Sequence, residues 1–206
     1  MRIAIVGGTG AFGIALAMRL HEAGHDVVLG SRDADRAATA AAELGVDGTT
    51  NAEAVGSADL VVLATKAEGA LDTARELRDA IGSTPVLSVA SELRFSAEGV
   101  LPTRETTSLA ERMQAELRGP VLAGLHSLAA STLGSEEAPD EDAFLCGDDA
   151  EAKALVLEVA EEITAGRALD AGPLASARAL EGMTAVIVNL NKRYRGHAGL
   201  RVVGLP

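Results

Sequence analysis

Aromatic residues make up only 2 % of this 206-residue chain: Phe12, Phe95, Phe144 and Tyr194, with no tryptophan. A flat ring bound here has to be held mostly by aliphatic side chains and backbone. Cysteine occurs once, at Cys146. No disulfide framework can form within the chain, and the spacing that a cysteine-based zinc site needs is missing. Cys146 therefore reads as a small buried hydrophobe, no metal is expected, and a reducing, cytoplasmic setting follows. Positive charge is also short, with 18 Lys+Arg against 30 Asp+Glu, a net charge of −12. Coating nucleic acid or an anionic membrane requires the opposite balance, so neither is an expected partner. Any anionic ligand must be held locally, against the global field. The apolar run at residues 3–6 is too short for a signal peptide or a membrane span.

What the chain does have is apolar side chain, 48 % of its residues, enough to build a core. Short apolar runs at 3–6, 26–29, 60–64 and 85–89 alternate with helical patterns at 11–23, 34–44 and 71–81. A further short helix through residue 55 is capped from residues 49–51. This rhythm predicts an α/β fold, a Rossmann-type doubly wound parallel sheet. Beyond residue 90 the pattern changes. Residues 91–104 read as a long loop, 108–117 as a helix, and 121–125 as a strand that delivers His126 at its end. Eight acids fall between residues 136 and 151. Asp148 and Asp149 are placed to cap a helix over 150–163, and a last helix spans 176–195. The expected organisation is a dinucleotide-binding unit over residues 1–130. Residues 131–206 form a small, mainly helical appendage packed on it.

Gly8-Thr9-Gly10-Ala11-Phe12-Gly13 fits G-x-G-x-x-G. It follows a predicted strand and opens a predicted helix, the context in which backbone N–H groups cradle a pyrophosphate. Which dinucleotide binds is decided at the end of the second strand. There an acid would grip the ribose of NAD, but this chain has Ser31 and Arg32, with Arg36 one helical turn on. A hydroxyl and two guanidinium groups suit the extra phosphate of NADP, while Asp33 and Asp35 are placed to cap the second helix. In an open α/β sheet the reacting groups lie beyond the C-terminal strand ends. That places Thr9, Ala64, Thr65, Lys66, Ser88, Ala90, His126 and Leu128 at the site. His126 is the candidate catalytic residue, as a proton-handling or a ring-orienting group. Lys66 is either a contact for an anionic substrate or a solvated lysine. His21 and His25 read as structural.

The start Met1–Gly13, the segment Gly24–Arg32, the motifs Leu125-His126-Ser127, Cys146-Gly147-Asp148-Asp149 and Leu169-Asp170-Ala171-Gly172-Pro173-Leu174, and the residues Arg178, Glu181 and Thr184 together resemble the F420-dependent NADP reductases. The resemblance implies hydride transfer between NADP and the deazaflavin coenzyme F420. Two loops depart from the family. Ala64-Thr65-Lys66 stands where Pro and an aromatic residue are usual, and Ser91-Glu92-Leu93 stands where Asn-Pro-Leu is frequent in the bacterial branch. They leave room for an NADPH reductase of another small carbonyl, imine or enone, or for a non-catalytic NADP-binding sensor. Lys192, Arg193, Arg195 and Arg201 form the one dense basic patch. It is expected either to receive an anionic coenzyme tail or to pair with the acids of 136–151 across a subunit contact. The apolar face of residues 180–190 would be exposed on a monomer, which predicts a homodimer.

Overall fold

Ile3, Ala4, Ile5 and Val6 have no exposed surface. They form the centre of strand β1 (Arg2–Val6), with Ile3 and Ile5 on one face of the sheet and Ala4 and Val6 on the other. A strand apolar on both faces requires helices on both, and the computed structural model, described here for residues 1–205, supplies them. One layer holds α1 (Ala11–Glu22), α2 (Ala34–Leu44) and α7 (Ala150–Glu162), through residues such as Leu16, Leu20, Ala41 and Val156. The other holds α3 (Asn51–Val55), α4 (Ala67–Ile81), α5 (Leu109–Glu116) and α8 (Ala177–Tyr194), through Val55, Leu77, Met113 and Leu180. Each fully buried Leu or Ile side chain contributes about 1.5–3 kcal/mol by leaving water.

The strands β2 (Asp26–Ser31), β3 (Asp47–Thr50), β4 (Leu60–Leu63), β5 (Val86–Ser88), β6 (Leu93–Ser96), β7 (Gly99–Pro102), β8 (Val121–Gly124), β9 (Ala143–Gly147) and β10 (Ala168–Asp170) complete the set. Eight of them form one sheet in the order β10-β9-β8-β5-β4-β1-β2-β3. Every pair is parallel except β8 with β9. The reversal has a local cause. Between β8 and β9 the chain makes only the four-residue helix α6 (Ala130–Leu133), too little for a crossover. The buried guanidinium of Arg19 on α1 holds this connection, donating to the carbonyls of Leu133 at 2.8 Å and Glu137 at 2.7 Å. Strand order reverses between β1 and β4, so a crevice opens at their C-terminal ends.

Several expectations need correction. Residues 91–104 are not an irregular loop, because β6 and β7 pair there as an antiparallel hairpin. Strands β3, β9 and β10 fall where no strand is expected, and the last two make the C-terminal part more than helical. Most of the apolar face of α8 is covered within the chain, Leu180, Ala185 and Ile187 being at most 5 % exposed. Only Val186 and Tyr194 stay open on this helix among its large apolar residues. Of the two acids expected to cap α7 only Asp149 does so, the Asp148 carboxylate instead accepting from Leu174 N–H at 2.9 Å. The Asp149 carboxylate accepts from Ala152 N–H at 2.8 Å, and Thr50 forms a reciprocal capping box with Glu53.

Candidate active site

The turn after β1 begins one residue earlier than its motif suggests. Gly7 takes φ +75°, the conformation that favours glycine, and a Cβ there would lie 2.8 Å from the Thr65 methyl group. Gly7 is a site residue that the six-residue pattern misses; the doubled glycine ending β1 was its signal. Gly8 N–H donates to Gly30 O at 3.0 Å and ties the turn to the end of β2. A Cβ on Gly13 would sit 2.7 Å from Gly8 Cα, so this glycine serves the contact between helix and turn. Gly10 differs from both. A Cβ there would meet nothing nearer than Gly7 O at 3.5 Å, and the residue is exposed. Its side is open to a ligand. Gly10 is also the N-cap of α1, with no side-chain cap and no acid in the first helical turn, so the free N–H groups and the helix dipole face outward. Thr9 is half-buried, Ala11 is exposed, and half-buried Phe12 turns into the neighbouring cleft.

At the end of β2, Ser31 is buried and its Oγ accepts from Asp33 N–H at 3.2 Å, which leaves its own hydrogen to give. Asp33 is used up locally, accepting from the N–H groups of Asp35 at 3.1 Å and Arg36 at 3.2 Å as the cap of α2. The acid nearest this point is thus turned onto a helix end. Arg32 and Arg36 are exposed, and among the described residues neither pairs with a carboxylate. The pattern fits an anion held outside the Ser31 end of the strand.

Beyond β1, β4, β5 and β8 lies a cleft of about 760 Å³. Ala64, Thr65 and Lys66 line it from the end of β4, Ala90 and Ser91 from the end of β5, and His126 and Leu128 from the end of β8. Phe12, Phe95 and Thr184 come from α1, the β6–β7 hairpin and α8. Ser88 departs from expectation. It is fully buried inside β5 and does not line this cleft, so Ala90 and Ser91 present the end of that strand. Arg201 departs too, pairing with Asp140 of its own chain at 2.8 Å, so that part of the basic patch needs no second subunit.

The chain reaches His126 through a strained residue. Leu125 is buried and has φ +62°, a conformation that non-glycine residues seldom take. This bend carries His126 from the strand into the cleft wall, where it is 5 % exposed. Its Nε2 lies 3.4 Å from Ala90 O. A carbonyl only accepts, so Nε2 carries the hydrogen and Nδ1 is left with a bare lone pair and no protein partner. Burial pushes the imidazole pKa down to about 4, so the ring is neutral at physiological pH. Thr65 Oγ1 is a second buried polar atom in the wall without a partner. Both atoms belong to residues that line the cleft, and buried polar atoms are normally paired.

The opposite wall is anchored by Glu181 of α8. Its buried carboxylate accepts from Leu109 and Ala110 N–H, both at 3.1 Å, at the start of α5. Burial pushes its pKa up to about 7. Thr184, one turn along the same helix, bonds Ser91 and the carbonyl of His126. Cys146 takes no part: it is buried, and burial pushes its thiol up to about 12.

A family model described as coenzyme F420-dependent NADP oxidoreductase matches residues 2–92. The F420-dependent NADP reductase of Methanothermobacter thermautotrophicus is 35 % identical over 224 residues, covering 100 % of this chain and 96 % of that protein. The F420-dependent NADP reductase of Methanocaldococcus jannaschii is 32 % identical over 223 residues, covering 100 % of this chain and 99 % of its own. Among solved structures, a candidate F420-dependent NADP reductase from Arthrobacter sp. FB24 superposes with a TM-score of 0.88 at 24 % identity, over 99 % of this chain and 100 % of that one, and bears on the fold alone. With full-length relatives above 30 % identity, the chain belongs to the F420-dependent NADP reductase family.

Proposed function

We propose that this protein transfers a hydride between NADP(H) and the deazaflavin coenzyme F420. The observation that carries the reading is the junction of two features at one crevice. An open, acid-free glycine turn lies at the end of β1, and a cleft with unpartnered polar atoms adjoins it at the ends of β4, β5 and β8. The bound pair supplies the redox chemistry, one hydride exchanged between two flat rings; binding, alignment and exclusion of water fall to the protein. The N–H groups of the Gly8–Gly13 turn hold the pyrophosphate. Ser31, Arg32 and Arg36 hold the additional phosphate of NADP. Ala64, Thr65, Lys66, Ala90 and Leu128 border the rings, and their small or flexible side chains let a ring approach the backbone closely. His126 works as a neutral acceptor that orients a ring. Its pKa of about 4 is too low for an imidazolium donor at neutral pH.

In this arrangement residues 1–130 carry the dinucleotide and residues 131–206 close the substrate side, Thr184 being the contribution of α8 to the cleft. The exposed Val186, Tyr194, Val203 and Leu205 support a homodimer, to be measured as a doubled mass in solution. The single buried cysteine suits a reducing cytoplasm. No helix among the described residues is long and apolar enough to cross a membrane.

The test is optical. Mixed with NADPH and the oxidised deazaflavin, the protein bleaches the visible band of the deazaflavin as fast as it consumes NADPH. Cyclic imines and enones offered instead leave NADPH unconsumed. Consumption of NADPH by an imine, with no bleaching of the deazaflavin, would overturn the reading.

A further inference from the structure

Ser91, Thr184 and the carbonyl of His126 form a chain of three oxygens from three separate elements. Ser91 Oγ lies 2.7 Å from Thr184 Oγ1, which lies 3.0 Å from His126 O. The direction of this chain follows from counting hydrogens. A carbonyl has none to give, so the single hydrogen of Thr184 goes to His126 O. Were it given to Ser91 instead, two oxygen lone pairs would face each other at the His126 carbonyl. Thr184 must therefore accept from Ser91, and the only hydrogen of the Ser91 hydroxyl is spent on Thr184. Toward the cleft that Ser91 lines, its Oγ can offer nothing but lone pairs. His126, another lining residue, has its ring hydrogen on Ala90 O and an Nδ1 that is buried without a protein partner. Ser91 is thus an acceptor at the cavity wall whose hydrogen is committed elsewhere. An acceptor in such a wall favours a ligand that brings an N–H and disfavours one that brings only oxygen lone pairs or a methyl group.

We propose that Ser91, held as an obligate acceptor by Thr184, selects a ring bearing an amide-type N–H at its edge. This rests on the cleft being the place where the two rings bind. Two such groups come with the proposed ligands, the carboxamide of the nicotinamide and the ring imide of the deazaflavin. Ser91 contacts the ligand, whereas Thr184 acts through it as a positioning residue.

The experiment measures equilibrium binding by calorimetry, with no turnover. One arm compares NADP with its 3-acetylpyridine analogue, in which a methyl ketone replaces the carboxamide. The other compares the deazaflavin with its imide N-methyl derivative. In the wild type, one pair is expected to show a preference of about five- to tenfold for the N–H-bearing member, the value of one hydrogen bond; which pair does so names the group that Ser91 reads. Ser91→Ala cuts that preference to less than about threefold. Thr184→Val cuts it equally, because the Ser91 hydrogen is then free to turn into the cleft, and Thr184→Ser restores it. A purely structural Thr184 would move both members of a pair together. Unchanged preferences for both pairs in Ser91→Ala, with parent ligands still bound, overturn the inference and leave the proposed function standing. Failure of the wild type to bind either parent ligand overturns both.

Discussion

Asn189 holds Val100 by both of its backbone polar groups. The amide oxygen accepts from Val100 N–H at 2.9 Å and the amide nitrogen donates to Val100 O at 2.7 Å. Through this pair α8 grips the β6–β7 hairpin, which carries Phe95 to the mouth of the cleft, 78 % exposed. Two hydrogen bonds contribute about 1–3 kcal/mol together. Asn189→Leu is expected to speed hydrogen exchange at Val100 by about tenfold or more on that scale and to raise KM for the deazaflavin. NADP affinity should hold, since the dinucleotide turn lies elsewhere. An unchanged exchange rate would show that the hairpin is held by its other contacts.

The glycine turn separates binding from folding. Gly10 opens to solvent, while a Cβ on Gly13 would overlap Gly8. Gly10→Val should keep its melting temperature and lose dinucleotide binding, because the branched side chain fills the space that the pyrophosphate needs. Gly13→Val should lose melting temperature as well. Calorimetry with NADP beside thermal melts checks both, and a folded Gly10→Val that binds NADP normally would remove this turn from the site.

For the phosphate specificity, Arg32→Ala combined with Arg36→Ala should weaken NADP binding by about 2–4 kcal/mol, the value of two charge-assisted contacts. NAD binding should scarcely change, because neither guanidinium then has an anion to meet. Direct titration of both dinucleotides on one preparation decides the point. A double variant that keeps the wild-type preference for NADP would assign the phosphate to other residues.

Glu181 and His126 should give stability opposite pH slopes. The folded Glu181 has its pKa raised to about 7 from 4.5. Between these values the folded protein keeps a proton that the unfolded chain has lost, so this contribution is present at low pH and lost as pH rises through about 7. His126, lowered to about 4 from 6.5, works the other way. There the unfolded chain holds the extra proton, so stability is gained as pH rises from about 4 to 6.5. Over the shared range the two oppose each other. Denaturant unfolding across it should show a steeper gain of stability with pH in Glu181→Gln than in the wild type, and parallel curves would contradict the assignment. In kinetics, His126→Ala should lose about tenfold or more in turnover by misplacing a ring, with the shape of the pH profile unchanged. A lost limb near pH 4 would instead return His126 to proton transfer.

Much of this was legible in the sequence for physical reasons. The Rossmann core shows because β1, β2, β4 and β5 are short apolar runs and their helices carry local caps, such as Asp33 on α2 and the Thr50 box on α3. The hairpin 93–102 does not show, because what fixes it is Asn189, far along the chain, and not an alternating pattern of its own. Strands β9 and β10 are three to five residues long and join the sheet by pairing with one another and with β8. The place of His126 followed from its strand end, but its protonation did not. That depends on Ala90 O arriving from the neighbouring strand and on burial that only the folded chain creates. Ser88 failed as a site residue because it is fully buried as the last residue of β5, and the cleft wall begins only after it, at Val89.

The central claim is direct transfer between two rings aligned in one cleft, with no protein group relaying the hydrogen. It is tested most directly with NADPH carrying deuterium at both positions of the nicotinamide C4, turned over with the oxidised deazaflavin in ordinary water. Mass spectrometry of the reduced deazaflavin is expected to find one deuterium per molecule. Reduced deazaflavin without label, with the deuterium released to water, would contradict the account.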